Sequence, residues 1–209
     1  MFKFPDEKHS SASADFEYGL TDRWEFDADV PYEFANPHHE RATNGIGDIE
    51  IGTRYGILKF SDGPFALNAG VGVGIPTGDR LHELGEGRVT VEPSFTVSRW
   101  FGVLNAQLNC GWQRAVSSSG DEPRNEFAYN LALLYPVRRC TFALEGNGES
   151  NHRETKYYVT PEMVWTLTKK LEFDIAVPWG ATRAAADYGV IVSLTLELES
   201  ITGRSKEKD

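Results

Sequence analysis

Apolar and polar residues alternate along almost the whole chain, most clearly from residue 46 to residue 79, IGDIEIGTRYGILKFSDGPFALNAGVGVGIPTGD. Ile49, Ile51, Tyr55 and Ile57 fall on one face of the first run, and Asp48, Glu50, Gly52, Arg54 and Gly56 on the other. In the second run Phe65, Leu67, Ala69, Val71, Val73 and Ile75 oppose Asn68, Gly70, Gly72 and Gly74. A period of two places one side of a strand against an apolar medium and the other against water. Between the runs, Ser61-Asp62-Gly63-Pro64 has the composition of a tight reversal. The stretch predicts a β-hairpin whose apolar face needs a neighbour.

The same alternation recurs to give eleven predicted strands and no convincing helix. One run has Trp24, Phe26, Ala28, Val30, Tyr32 and Phe34 opposite Glu25, Asp27, Asp29 and Glu33; a late one has Leu171, Phe173, Ile175, Val177 and Trp179 opposite Glu172 and Asp174. The connections are more informative than the strands. Short turns fall near 21–23, 61–63, 100–102, 136–139 and 168–170, and long polar segments near 35–46, 77–87, 116–125, 147–156 and 180–187. Strict alternation of short and long has no counterpart in Greek-key sandwiches. It is expected of an antiparallel up-and-down transmembrane β-barrel, with short turns on the periplasmic side and long loops outside.

Other features agree. The strands have about the ten residues that a tilted membrane crossing needs. Aromatics gather at strand ends, among them Trp24, Tyr32, Phe34, Trp100, Trp112, Tyr135, Trp165 and Trp179, as in interfacial girdles. The apolar face is almost free of charge in mid-strand, whereas a soluble barrel would carry its charge outside.

The strand count is odd. The run ending at Leu20 enters a short turn and therefore descends, so an ascending strand should precede it. Residues 1–13 read as a loop or remnant, 14–200 as the barrel and 201–209 as a polar tail. The opening MFKFPDEKHSSASADF lacks the apolar core of a signal peptide. The expectation is a twelve-stranded outer-membrane barrel whose signal peptide and first strand precede this sequence.

Composition sharpens this reading. The net charge of −10 argues against nucleic-acid binding. Mean hydropathy is −0.40, and no apolar run reaches the ~18 residues of a membrane helix, which leaves a barrel open. Cys110 and Cys140 fall on non-adjacent predicted strands and should not bridge.

The candidate pore-lining residues lie on the charged face: Glu25, Asp27, Asp29, Glu50, Arg54, Arg88, Glu92, Glu162, Glu172 and Asp174. Acids outnumber bases there, so the lumen should attract cations and repel anions. The competing reading is a polar lumen whose charges only solvate it. No His or Ser accompanies the carboxylates in a catalytic arrangement, so no enzyme is expected. The histidines His9, His38, His39, His82 and His152 fall in predicted loops without metal-ligand spacing, and neither metal nor cofactor is expected. Gly70, Gly72 and Gly74 lie inside a strand and open no helix, so they are not a phosphate loop. Arg23, Lys59, Arg99, Arg138, Arg139, Lys169 and Lys170 cluster at the short turns as a positive rim.

The segments FEYGLTDRWEFDADVPYEF, NGIGDIEIGTRYGILK and GVGIPTGD carry a resemblance. In Tyr18 to Phe34, Gly45 to Tyr55 and Pro76 to Asp79 the chain resembles the outer-membrane β-barrel family of transporters assigned to the phenol-degradation (MetA) pathway. The resemblance spans about residues 14 to 115, and beyond them it is one of pattern. It implies a porin-like channel of the Gram-negative outer membrane, embedded in lipid and passing small solutes, aromatic or hydrophobic compounds among them. The alternatives are a non-conducting structural or adhesion barrel, an outer-membrane hydrolase, and a soluble ligand-binding barrel.

Overall fold

The computed structural model describes residues 8–36, 42–116 and 124–197. Leu198, Glu199, His38, His39 and the tail 201–209 lie outside these residues. Thirteen strands form one antiparallel sheet: β1 (Lys8–Gly19), β2 (Trp24–Asn36), β3 (Thr43–Ile46), β4 (Ile49–Leu58), β5 (Phe65–Ile75), β6 (Thr90–Phe101), β7 (Leu104–Ala115), β8 (Asn125–Val137), β9 (Cys140–Ser150), β10 (Thr155–Thr168), β11 (Leu171–Ala176), β12 (Trp179–Gly180) and β13 (Ile191–Leu196). Eleven of them follow one another as sheet neighbours in chain order, with β3 paired to β2 and β12 to β10 beside that path. The topology is the predicted up-and-down meander. Among the described residues β1 and β13 are the two edges and do not pair, so the sheet is open. No helix among the described residues is long and apolar enough to cross a membrane.

Cross-strand register keeps the two faces separate. Ile51 stands beside Ala28 and Val73, and Trp112 beside Phe127. On the other face Asp29 stands beside Asp15 and Glu50. The apolar face covers nothing: Phe16 is 64% exposed and Leu194 66%. Among the described residues the buried apolar side chains are Leu84 and four alanines, and no large side chain is fully buried. Free energy from apolar burial, about 25 cal/mol per Å2, is therefore not gained in a protein interior. A contiguous apolar surface of this extent requires lipid against it.

Aromatic side chains band this face at both ends. Trp24, Tyr55, Tyr135, Phe142 and Trp165 mark the short-turn end, while Tyr32, Phe34, Trp112, Phe127 and Trp179 mark the other. The Tyr32 and Phe34 rings lie 5.1 Å apart between centroids, and Trp24 Nε1 donates to Thr53 Oγ1 at 2.6 Å.

Several boundaries differ from expectation. The segment 147–156 is not a long loop: β9 continues to Ser150, β10 starts at Thr155, and Asn151–Glu154 closes the turn. Asn151 Oδ1 accepts from the backbone N–H of Arg153 and Glu154 at 2.9 and 3.1 Å, an Asx-type cap. The apolar alternation is hidden here because Gly146 and Gly148 occupy the outer positions. Their cover comes from adjacent strands. Tyr129 packs over Gly148 and Tyr157 over Gly146, ring centroids 6.3 Å apart, and a Cβ at either glycine would collide with the tyrosine above it.

The first strand begins at Lys8, ahead of the visible alternation, because its ladder with β2 runs on through Ser10, Ser11 and Ser13. A bulge at Gly47 and Asp48 separates β3 from β4. Val177 and Pro178 interrupt the predicted run 171–179 between β11 and β12; proline has no N–H for the ladder. Cys110 on β7 and Cys140 on β9 are unbridged, with β8 between them.

Candidate functional site

The polar face divides into three sectors. The first spans β1, β2 and β4. Asp15, Asp29 and Glu50 form one transverse row, Glu17 and Asp27 the next, and Glu25 and Arg54 a third. Arg54 Nη1 lies 3.3 Å from Glu25 Oε1, close enough for an ion pair but outside hydrogen-bond geometry. Asp27 and Glu50 lean over Gly52 and Gly72, where a Cβ would strike their carboxylates. The glycine alternation on β4 and β5 thus leaves room for large acidic side chains.

The second sector is built around a row of amides and hydroxyls. Thr96 Oγ1 donates to Asn109 Oδ1 at 2.5 Å, and Asn109 Nδ2 to Asn130 Oδ1 at 3.3 Å. Asn130 Nδ2 donates to Asn147 Oδ1 and, at 2.9 Å, to Glu145 Oε2. Asn147 Nδ2 reaches Thr160 Oγ1 at 3.0 Å. One hydrogen-bonded ladder therefore crosses β6 to β10. It borders a cavity of about 430 Å3 that also takes in Arg54, Glu92 and Tyr158.

The third sector, on β9 to β11, has Glu145, Glu162 and Asp174 around a cavity of about 440 Å3. Glu172 lies nearer the short turns, where it accepts from Thr166 Oγ1 at 2.9 Å. Tyr158 accepts from the Ala186 N–H at 3.2 Å, tying the connection before β13 to this wall.

Nine of the ten candidate residues stand in strands on this face. Arg88 is the exception, since β6 begins at Thr90. Arg88 belongs to the preceding connection, where its Nε donates to Glu86 Oε2 at 2.7 Å and its side chain is 10% exposed. The alternation through Val89 and Val91 concealed the boundary.

Sequence reasoning also missed what Asp48 does. Its Oδ1 accepts from the Gly78 N–H at 2.9 Å and its Oδ2 from the Glu86 N–H at 2.7 Å. Thr77 Oγ1 donates to the Gly47 carbonyl at 2.6 Å and accepts from the Ile49 N–H at 3.0 Å. Thr43 Oγ1 bonds the His82 carbonyl at 3.1 Å. Within the connection, Asp79 caps a short 3-10 turn, Arg80–His82, accepting from the Leu81 N–H. His82 Nδ1 lies 2.7 Å from Asp79 Oδ2, and this hydrogen bond holds the Asp79 carboxyl below the usual aspartate range. The signal was present as two Gly-Asp pairs, Gly47-Asp48 and Gly78-Asp79.

Among the described residues no group of three or more His, Cys, Asp or Glu side chains has the geometry to hold a metal ion. Comparison with known proteins adds the lineage. Residues 29–198 match the family model described as "Putative MetA-pathway of phenol degradation". The chain belongs to this family. Among curated proteins none matches. Among solved structures the chain is similar to the NanC porin in its rhombohedral crystal form: TM-score 0.66, 13% sequence identity, 92% of this chain and 97% of that chain covered. At that identity the likeness shows the fold, which is that of a porin β-barrel. As a member of the family with this fold, the chain has the architecture of an outer-membrane channel.

Proposed function

We propose that the chain is a passive outer-membrane channel for small solutes, with an acidic lumen that favours cations and neutral molecules over anions. The observation that supports it most directly is the two-faced sheet. One face is apolar, exposed and banded with aromatics; the other carries carboxylates, amides and hydroxyls across all its strands. Lipid belongs against the first and water against the second. Asp15, Glu17, Glu25, Asp27, Asp29 and Glu50 on one wall face Arg54 as the strand cation among them, and a ring of like charge sets selectivity by sign. Glu92, Glu162, Glu172 and Asp174 line the remaining wall.

The family description supports aromatic compounds as a solute class. A phenol, whose hydroxyl titrates near about 10 as in tyrosine, enters such a lumen neutral at pH 7. The phenolate is the disfavoured form. The short turns, with Arg23, Arg138 and Arg139, face the periplasm in this reading.

Planar-bilayer recording tests it. Folded protein should give discrete cation-preferring conductance steps, and cells with the protein should take up phenol faster than cells without it. Folded protein that inserts yet conducts nothing would leave a structural or adhesion barrel.

A further inference from the structure

Among the described residues, Leu84 is the one buried apolar side chain larger than alanine, and it lies in the connection between β5 and β6. A residue there is expected to be solvated. Its place is instead on the polar face of the sheet. Gly45 stands beside Glu33 in the β2–β3 register, so both belong to that face. A Cβ at Gly45 would lie 3.0 Å from Leu84 Cδ1, and one at Gly47 3.3 Å from the Leu84 carbonyl. The connection therefore folds back over the inner wall at the long-loop end. Asp48 fixes it there at both limbs, through the N–H groups of Gly78 and Glu86. The bulge explains how: Gly47 and Asp48 are consecutive, yet both lie toward this face between Ile46 and Ile49 of the other. Asp48 is thereby freed from the ladder and aimed at the returning chain.

We propose that Asp48 is a positioning residue that latches residues 77–89 inside the mouth as a fixed constriction, and so sets the size limit for solutes. This rests on the channel reading above. A layer of chain packed on a sheet takes about 10 Å of depth, a large share of a small barrel's opening. The latch is charge-assisted and bidentate. Its socket is glycine because the loop backbone approaches to contact: a Cβ on Gly78 would collide with the Leu84 carbonyl, and one on Gly85 with Asp48 itself.

The test uses Asp48→Ala, Asp48→Asn and Gly45→Val, each checked for folding by heat-modifiable gel migration. Two readouts are combined: trypsin cleavage at Arg80 in the folded protein, and single-channel conductance with polyethylene glycols of graded size as blockers. Loss of both N–H acceptors in Asp48→Ala should speed cleavage by roughly tenfold or more. Conductance should rise roughly twofold and the blocking cutoff move to larger polymers. Asp48→Asn retains one acceptor and should fall between. Gly45→Val ejects Leu84 with the carboxylate intact and should reproduce the wide mouth. Folded variants with wild-type conductance and cutoff would overturn the proposal, whether or not cleavage accelerates. A wild-type protein that inserts without conducting overturns the channel reading itself, and the constriction with it.

Discussion

Arg23, on the first short turn, reaches across to Asp62 on the second, Nη2 to Oδ2 3.0 Å. The same guanidinium donates through Nη1 to the carbonyls of Gly56 and Ile57 at 3.1 and 3.0 Å. Asp62 also accepts from the Lys59 N–H at 3.0 Å. One arginine thus ties the β1–β2 hairpin to the β4–β5 hairpin at the short-turn end. Arg23→Ala should destabilise the folded protein by about 0.5–1 kcal/mol, because water re-satisfies much of what the two partly exposed carbonyls lose. Arg23→Lys should recover little, because a single ammonium cannot span the three acceptors. Thermal unfolding followed by heat-modifiable migration measures both.

The Lys59 N–H, and after it the Arg23 side chain, hold the Asp62 carboxyl below the usual aspartate range. A depressed folded value means that the contribution is complete above the unfolded value, about 3.9. It is lost as pH falls through the lower folded one. Thermal midpoints should therefore decline on acidification below about pH 4, and Asp62→Asn should remove that component of the decline. Equal pH profiles for the two proteins would contradict this account.

Gly148→Val should unseat Tyr129, which closes over this position, and disturb its stacking on Tyr157. Overpacking of this kind costs about 1–3 kcal/mol, with the lower end expected because the rings can swing into lipid. Tyrosine fluorescence in detergent should shift together with the thermal midpoint.

Asn130 sits at the centre of the amide ladder, bonded to Asn109, Asn147 and Glu145. Asn130→Leu should cost about 1 kcal/mol, since water can re-satisfy part of what is lost. Hydrogen exchange should accelerate in β7 to β9 and stay unchanged in β1 and β2.

The combined substitution Glu25→Gln, Asp27→Asn and Asp29→Asn removes three of the seven strand carboxylates on the β1–β2–β4 wall, the others being Asp15, Glu17, Glu33 and Glu50. The ratio of cation to anion permeability, read from the reversal potential in a salt gradient, should fall roughly twofold. An unchanged reversal potential would move selectivity to the β9–β11 wall.

The fold was legible because alternation depends only on the next residue but one, and register preserves it across neighbours: Ile51 beside Val73, Leu108 beside Leu131. It failed where a residue's cover comes from another strand. Gly148 looked like loop because its apolar neighbours belong to β8 and β10. Arg88 looked like strand because a periodic run does not show where pairing begins. The acidic wall could be read from Glu25, Asp27 and Asp29 as they stand. Asp48 looked equivalent to them, and its role depends on a contact with Gly78 and Glu86 far along the chain.

The amide ladder has a mechanical consequence. Between β6 and β10 the wall is stapled side chain to side chain as well as backbone to backbone. Across β1, β2 and β4, apart from Arg54 beside Glu25, the facing side chains are like charges at Asp15–Asp29, Glu17–Asp27 and Asp29–Glu50, which push neighbouring strands apart instead of drawing them together. The sheet is therefore stiff on one flank and compliant on the other. Thermal breathing, and any widening for a bulky solute, will concentrate on the carboxylate flank, where salt screens the repulsion. Raising ionic strength should tighten that flank and leave the amide flank as it was.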